Sequence, residues 1–209
     1  MAVNIPEVSI RRLSTYLRCL RQARLRGQEW IQSSDLAESC GISGSLVRKD
    51  LSYFGEFGVR GKGYRVAELV RAIEGIIGIN EPIRVVIVGA GNLGRALIHH
   101  LQEIPYFRVL AAFDRNRKKI GRKINGVEVF PIGEIKKFYR EHYPQIAVLA
   151  IPPEGLQETV ELLSRAGIKG ILSFALQGIK TPPGVVISYV EIASQIEYLA
   201  YKIKKGSVA

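Results

Sequence analysis

The sequence predicts an α/β protein: a winged helix-turn-helix unit over residues 1–80, a doubly wound parallel sheet over 81–188, and a closing helix over 189–209. Three observations predict it. Apolar residues recur at helical spacing through the first eighty residues, interrupted by Gly27, by Gly41 and then by four glycines between Gly55 and Gly63. From Ile83 onward the apolar runs are short, β-branched and separated by helical stretches, the alternation of a sheet covered by helices. Gly89, Gly91 and Gly94 stand directly between the first of these runs and a helix.

In the first unit, Pro6, Glu7 and Ser9 suit a helix start, and Ile10, Leu13, Leu17 and Leu20 follow on one face until Gly27. Ser33, Ser34 and Asp35 open a short second helix to Cys40. Gly41-Ile42-Ser43 then supplies a turn glycine, an apolar residue and a new cap, and a third helix spans Gly44 to Phe54. Gly55 to Tyr64 alternates glycines with Phe57, Val59 and Tyr64, a β-hairpin with Arg60 at its tip. Val66, Leu69, Val70, Ile73 and Ile77 trace a helix ended by Gly78.

A recognition helix needs hydrogen-bonding groups for base edges and cations for phosphates. The third helix offers Ser45, Arg48, Lys49, Ser52 and Tyr53 with Asp50 its only acid, after the capping Ser43. Arg60 and Lys62 extend the set onto the wing, where an arginine suits a narrow A·T-rich minor groove. Arg11 and Arg12 begin a run of six arginines, ending at Arg26, with no acid among them; the run reads either as a solvated helix face or as a DNA contact, and Arg11 and Arg12 are counted with the DNA-binding residues. The chain's net charge of +11, spread over both halves, favours polyanionic partners.

The strand Ile83–Val88 runs into Gly89-Ala90-Gly91-Asn92-Leu93-Gly94 and a helix expected from Arg95 to Ile104. In a Rossmann unit the first glycine makes the turn, the second admits a pyrophosphate, and the third lets helix approach strand. The strand Phe107–Phe113 ends at Asp114, an acceptor for both ribose hydroxyls of NAD(H) and a repellent charge to the 2′-phosphate of NADP. Arg115 follows it and blurs that preference. Further strands are expected at Ile146–Ile151, Gly170–Phe174 and Val185–Ile187. Ligands lie beyond the carboxyl ends of such strands, which nominates Ala150, Ile151, Pro152 and Phe174 as well. The closing helix carries an apolar stripe that needs a cover, such as another subunit.

No apolar run approaches the ~20 residues that span a bilayer, and the start carries neither basic nor apolar leader character, so a cytoplasmic protein without membrane association is expected. Cys19 and Cys40 lack partners at metal-ligand spacing and are expected to fill core; no metal is expected.

From Leu46 through Arg48-Lys49-Asp50-Leu51-Ser52-Tyr53-Phe54-Gly55, then Arg60-Gly61-Lys62-Gly63-Tyr64, Val88 to Gly94, Phe113-Asp114 and Ala166 to Leu172, the chain resembles the Rex family of redox-sensing repressors over nearly its whole length. The resemblance implies a homodimer on an inverted-repeat, A·T-rich operator in double-stranded DNA, with the C-terminal helix exchanged between subunits. NADH would close the dimer and release DNA; NAD⁺ would permit repression. Three departures concern sensing: His100 where the family usually has Tyr, Glu191 where it usually has Asp, and Ser173-Phe174-Ala175-Leu176 in place of Asn-Phe-Ala-Pro. By the same resemblance His100 would sit near the nicotinamide.

Two other classes compete. A dehydrogenase needs an acid or base facing the nicotinamide, and His99, His100 and His142 have no evident carboxylate partner; residues 1–80 also leave no room for a substrate domain. A CoA-binding regulator shares the sheet, but Asp114 disfavours adenosine phosphates. The expected protein is therefore a regulator and not an enzyme.

Overall fold

The computed structural model describes residues 5–175 and 178–206, and the chain divides into two compact units, Met1–Glu81 and Pro82–Ala209.

In the first unit, α1 (Glu7–Leu25) buries Leu13, Tyr16, Leu17 and Leu20 at intervals of three and four. It packs along α4 (Val66–Ile77), whose Val66, Leu69, Val70 and Ile73 are buried too. Each such aliphatic burial is worth about 1.5–3 kcal/mol, so this stripe outweighs the partly exposed Arg21–Glu74 ion pair (2.8 Å) that bridges the same helices. Between them lie β1 (Trp30–Ile31), α2 (Ser33–Cys40), α3 (Gly44–Ser52), β2 (Gly58–Val59) and β3 (Gly63–Arg65). Gly41 ends α2 in the left-handed region at φ +68°, and Ser43 caps α3 by accepting the Leu46 N–H. α3 is shorter than expected: it stops at Ser52, and Tyr53 is its cap.

β2 and β3 pair antiparallel around Arg60-Gly61-Lys62. β1, too short to show alternation in sequence, adds a third strand through Ile31 opposite Tyr64. Gly63, at φ +86°, lies so close to this strand that a Cβ would strike the Ile31 carbonyl. The cysteines do not fill the core as expected. Each is partly exposed, and the Cys40 thiol donates to the Cys19 sulfur at 2.8 Å, between α2 and α1.

The second unit holds β4 (Ile83–Val88), α5 (Asn92–Gln102), β5 (Phe107–Asp114), β6 (Lys123–Ile124), β7 (Val127–Pro131), α6 (Ile135–His142), β8 (Ile146–Leu149), α7 (Leu156–Ala166), β9 (Gly170–Ser173), β10 (Val186–Tyr189) and α8 (Ile192–Lys204). The sheet order is β10-β9-β8-β4-β5-β7-β6. All pairs are parallel except β6 with β7. Without β6 this is the Rossmann order, reversing between β4 and β8. The β6–β7 hairpin was not expected from the sequence, although Asn125-Gly126, both at positive φ, carries the usual two-residue turn signal. α5 begins at Asn92, three residues before the expected start, because Gly91 already caps it.

Phe113, Ile135, Phe138, Leu156 and Leu163 form the core on one face of the sheet, beneath α6 and α7. On the other face Ile87, Ile98, Val129 and Val148 pack under α5. Among the described residues no helix joins β9 to β10. An apolar trough of about 330 Å³ therefore opens beside α5, between Leu97, Leu101, Phe107, Ile146, Leu172 and Val186. α8 buries no residue. Its Ile192, Ile196, Leu199 and Ile203 form a stripe, each more than half exposed. Among the described residues no helix is long and apolar enough to cross a membrane.

Candidate functional site

Where the sheet order reverses, neighbouring connections leave on opposite faces and a crevice opens beyond the strand ends. Here it is a cleft of about 470 Å³. Gly89, Gly91, Asn92 and Leu93 line it from the β4–α5 turn, Asp114 and Arg115 from the end of β5, Ala150, Ile151 and Pro152 from the end of β8, and Phe174 after β9. Each glycine has a distinct reason. Gly89 is at φ +103°, and a Cβ there would meet the Ala150 carbonyl and the Ile151 side chain. A Cβ on Gly94 would strike the Gly89 carbonyl, so Gly94 seats α5 on the turn without lining the cleft. A Cβ on Gly91 would meet no protein atom within 4 Å, which leaves backbone open on the cleft side. The first N–H groups of α5 have no intrahelical acceptor and carry the positive end of the helix dipole.

Asp114 joins the pieces. Its Oδ2 accepts the Ala90 N–H at 2.8 Å, and its Oδ1 accepts the Asn116 N–H at 2.8 Å. Lys119 Nζ donates to Oδ2 at 3.0 Å. Burial alone would raise the carboxyl's pKa, but these bonds and the Lys119 charge outweigh it and hold Asp114 below the usual carboxylate range. Ala90 is thus a docking point for the turn and not part of the cleft wall. A carboxylate has about four acceptor sites; three are engaged, so binding two ribose hydroxyls requires Lys119 to swing aside.

Arg115 spans the rim to α7, donating to Glu158 at 2.8 Å and, more weakly, to Thr159 at 3.4 Å. It lies over Gly155 (φ +79°), where a Cβ would meet the guanidinium at 3.0 Å. Lys119, Ile132, Glu154 and Thr159 line the cleft as well; sequence reasoning missed them, although Glu154 follows a strand end as Ile151 does. His100 is not brought to the cleft: it is exposed on α5, as is Glu191 before α8. Ser173 is buried, donating to the Ala175 carbonyl; Leu176 lies outside the described residues.

On the first unit, Ser45, Arg48, Lys49 and Ser52 share the outer face of α3, all exposed, with Ser43 beside them. Val47, Asp50 and Leu51 face inward. Arg48 donates to Ser33 Oγ at 2.7 Å, which lays it over the start of α2. Arg60 is exposed at the wing tip, while Lys62 rests over the Trp30 ring at 5.6 Å. Tyr53 is half-buried. Arg11 is exposed and pairs with Glu7.

Arg12 departs from expectation. Its guanidinium grips both oxygens of Asp50, at 2.5 and 2.7 Å, and Tyr16 donates to the same carboxylate at 2.5 Å. The side chain expected at phosphate instead neutralises an acid that is 1% exposed. Burial works against ionisation of Asp50, but the bonds from Arg12, Tyr16 and Ser9 hold its pKa below the ordinary value. That pairing is why a helix offering cations to an anion tolerates an acid. Among the described residues, no group of three or more His, Cys, Asp or Glu is arranged to hold a metal ion.

A protein-family model described as a putative DNA-binding protein N-terminus matches residues 4–52, and one described as a CoA binding domain matches residues 80–177. The redox-sensing transcriptional repressor Rex of Thermosipho africanus is 42% identical over 208 residues, covering 99% of each chain. The crystal structure of RSP in complex with β-NAD⁺ and operator DNA is similar at TM-score 0.89 and 33% identity, covering 98% of this chain and 94% of that one. RSP in complex with β-NADH is similar at TM-score 0.86 and 31% identity, covering 99% and 97%.

Proposed function

The chain belongs to the Rex family of redox-sensing transcriptional repressors, and from that premise we propose that it binds operator DNA as a homodimer and responds to the NADH/NAD⁺ ratio, NADH favouring release. One observation carries the nucleotide half of this reading. Asp114 is an ionised acceptor tied to the glycine turn at the end of the second strand, where its charge suits ribose hydroxyls and opposes a phosphate. The pyrophosphate would lie against Gly91 and the first turn of α5, with Ile151, Pro152 and Phe174 as apolar walls for the rings.

The cleft is regulatory in this reading and not catalytic. Of its ionisable groups, Asp114, Lys119 and Arg115 are engaged with one another or with α7, Glu154 is the fourth, and among the described residues no histidine lines it. CoA is the second ligand to weigh, because a CoA binding domain matches the same sheet; Asp114 argues against its adenosine phosphate. A repressor acts where the DNA is, so the reading assigns the protein to the cytoplasm.

For the dimer, the trough beside α5 and the stripe of α8 are each apolar and uncovered. We assign each to the other across two subunits, with residues 189–209 as the exchanged segment. The proposed DNA contacts are Ser43, Ser45, Arg48, Lys49, Ser52, Arg60 and Lys62, with Arg11 at the margin and Arg12 supporting α3 through Asp50.

Two measurements test these assignments. Asp114→Ala should weaken NADH about 10–100-fold, as expected for the net loss of one hydrogen bond to a charged acceptor at about 1.5–3 kcal/mol, and should narrow discrimination against NADPH. Thermal protection by NADH, NAD⁺, NADPH and CoA in parallel reads this out; tighter binding of NADPH or CoA by the parent would overturn the assignment. Arg60→Ala should cost about 1–3 kcal/mol on an A·T-rich inverted repeat. Equal affinity of mutant and parent in a gel shift would remove Arg60 from the interface.

A further inference from the structure

We propose that Cys19 and Cys40 form a peroxide-oxidisable dithiol that crosslinks α1 to α2 and stabilises the DNA-binding unit. Three observations on this unit support it, and none depends on the nucleotide cleft. The sulfurs are already in contact at 2.8 Å, so closing to a bond of ~2.05 Å needs an approach of less than 1 Å. They sit 21 residues apart in sequence and on two different helices. And they line a polar cleft of about 390 Å³ in company with Thr15, Arg18, Gln22 and Ser39. Water and a small oxidant reach such a site, whereas a pair of core cysteines would be shielded.

The hydrogen bonding assigns the two roles. Cys40 donates its S–H to the Cys19 sulfur, and Cys19 donates to the Ser39 carbonyl at 3.4 Å. Burial and the neighbouring Cys19 push the Cys40 thiol up to about 12, against the opposing charge of Arg18. The raised pKa disfavours direct attack of Cys40 on peroxide, and its contact with the Cys19 sulfur makes it the thiol placed to resolve an oxidised Cys19. Cys19 is the sulfur that meets hydrogen peroxide. Its sulfur attacks one peroxide oxygen: the S–O bond forms, the O–O bond breaks, and the departing oxygen leaves as water with the thiol proton. The Cys40 sulfur then attacks the sulfenic sulfur: the S–S bond forms, the S–O bond breaks, and a second water departs with the Cys40 proton. Two thiols are oxidised and one peroxide is reduced to two waters.

Cys40 is the last residue of α2, immediately before the Gly41 turn that leads into α3. A bond at this point fixes the first helix of the pair to α1 and removes freedom from the unfolded chain. Because the sulfurs already touch, the bond fits the geometry that presents α3, and operator binding should survive it.

The test uses the full-length protein, reduced and then titrated with hydrogen peroxide. Expected are loss of both titratable thiols, a monomer-length mass lower by two hydrogens, a Cys19–Cys40 crosslinked peptide under non-reducing digestion, and a Tm higher by several degrees that dithiothreitol reverses. Cys40→Ser should accumulate a Cys19 sulfenic acid that a 1,3-dione probe labels, and Cys19→Ser should not label. Two free thiols after peroxide, a disulfide only between chains, or an equal Tm rise in either serine variant would overturn the proposal. Loss of operator binding on formation of the intrachain bond would overturn its fit to the DNA-binding geometry.

Discussion

Asp50→Ala is expected to destabilise the first unit by about 3–5 kcal/mol, the usual cost of removing one partner from a buried ion pair and leaving the other uncompensated. Arg12 would keep a partly buried guanidinium and Tyr16 a hydroxyl, each without the carboxylate that accepts from it. That loss is a large fraction of the ~5–15 kcal/mol that holds a domain together. Operator binding should fall with it, because Asp50 fastens the inner face of α3 to α1. Chemical denaturation followed by far-UV circular dichroism measures the effect, and a change below about 1 kcal/mol, the range of a surface pair, would mean that the network is decorative. Its pH dependence has a definite sign. Asp50 is held below the ordinary carboxylate pKa, so its stabilisation is fully present above about pH 4 and is lost as pH falls through the depressed folded value. Asp50→Asn should therefore flatten the acid limb of the stability profile.

A charge on the stripe of α8, as in Ile196→Glu or Leu199→Glu, is expected to break the proposed dimer into monomers. In the proposed exchange these side chains, about three-fifths exposed in a single chain, enter the partner's trough, and a carboxylate there would lose its water without gaining a partner. Since α8 buries no residue in its own chain, the substitution leaves the chain's own core untouched. Operator affinity should drop about 100-fold or more, because two half-sites no longer act at a shared effective concentration. Light scattering gives the mass and a gel shift the affinity. A parent that is already monomeric, or a variant that remains a dimer, would exclude α8 as the subunit contact.

Much of the fold was legible because the determinants are local. Gly41 and Ser43 announce the turn and cap that separate α2 from α3, and β4 reads as a strand from its uninterrupted β-branched run. The glycine turn was legible from its spacing, and Gly94 is demanded locally by the Gly89 carbonyl, whereas Gly89 is demanded by the Ala150 carbonyl at the end of β8. The hairpin at Asn125-Gly126 carried a readable signal that went unread, whereas two-residue β1 carried none. The candidate site was legible at strand ends, as with Asp114, Ile151 and Phe174, and illegible where a side chain reaches back from the next turn, as Lys119 does.

Sequence by itself determined the order of the main helices and strands, the spacing of the glycine turn and the outer face of α3, since each follows from periodicity or from motifs within a few residues. Tertiary structure alone decided what each charge and each sulfur meets. Arg12 looked like a phosphate ligand until a carboxylate 38 residues away proved to hold it. The cysteines looked like core until the crossing of α1 and α2 brought their sulfurs into contact on a polar cleft. Asp114 looked like an open acceptor until Ala90, Asn116 and Lys119 were found to occupy most of it. Long-range pairing depends on where helices cross and strands end, and neither hydrophobic period nor net charge encodes that.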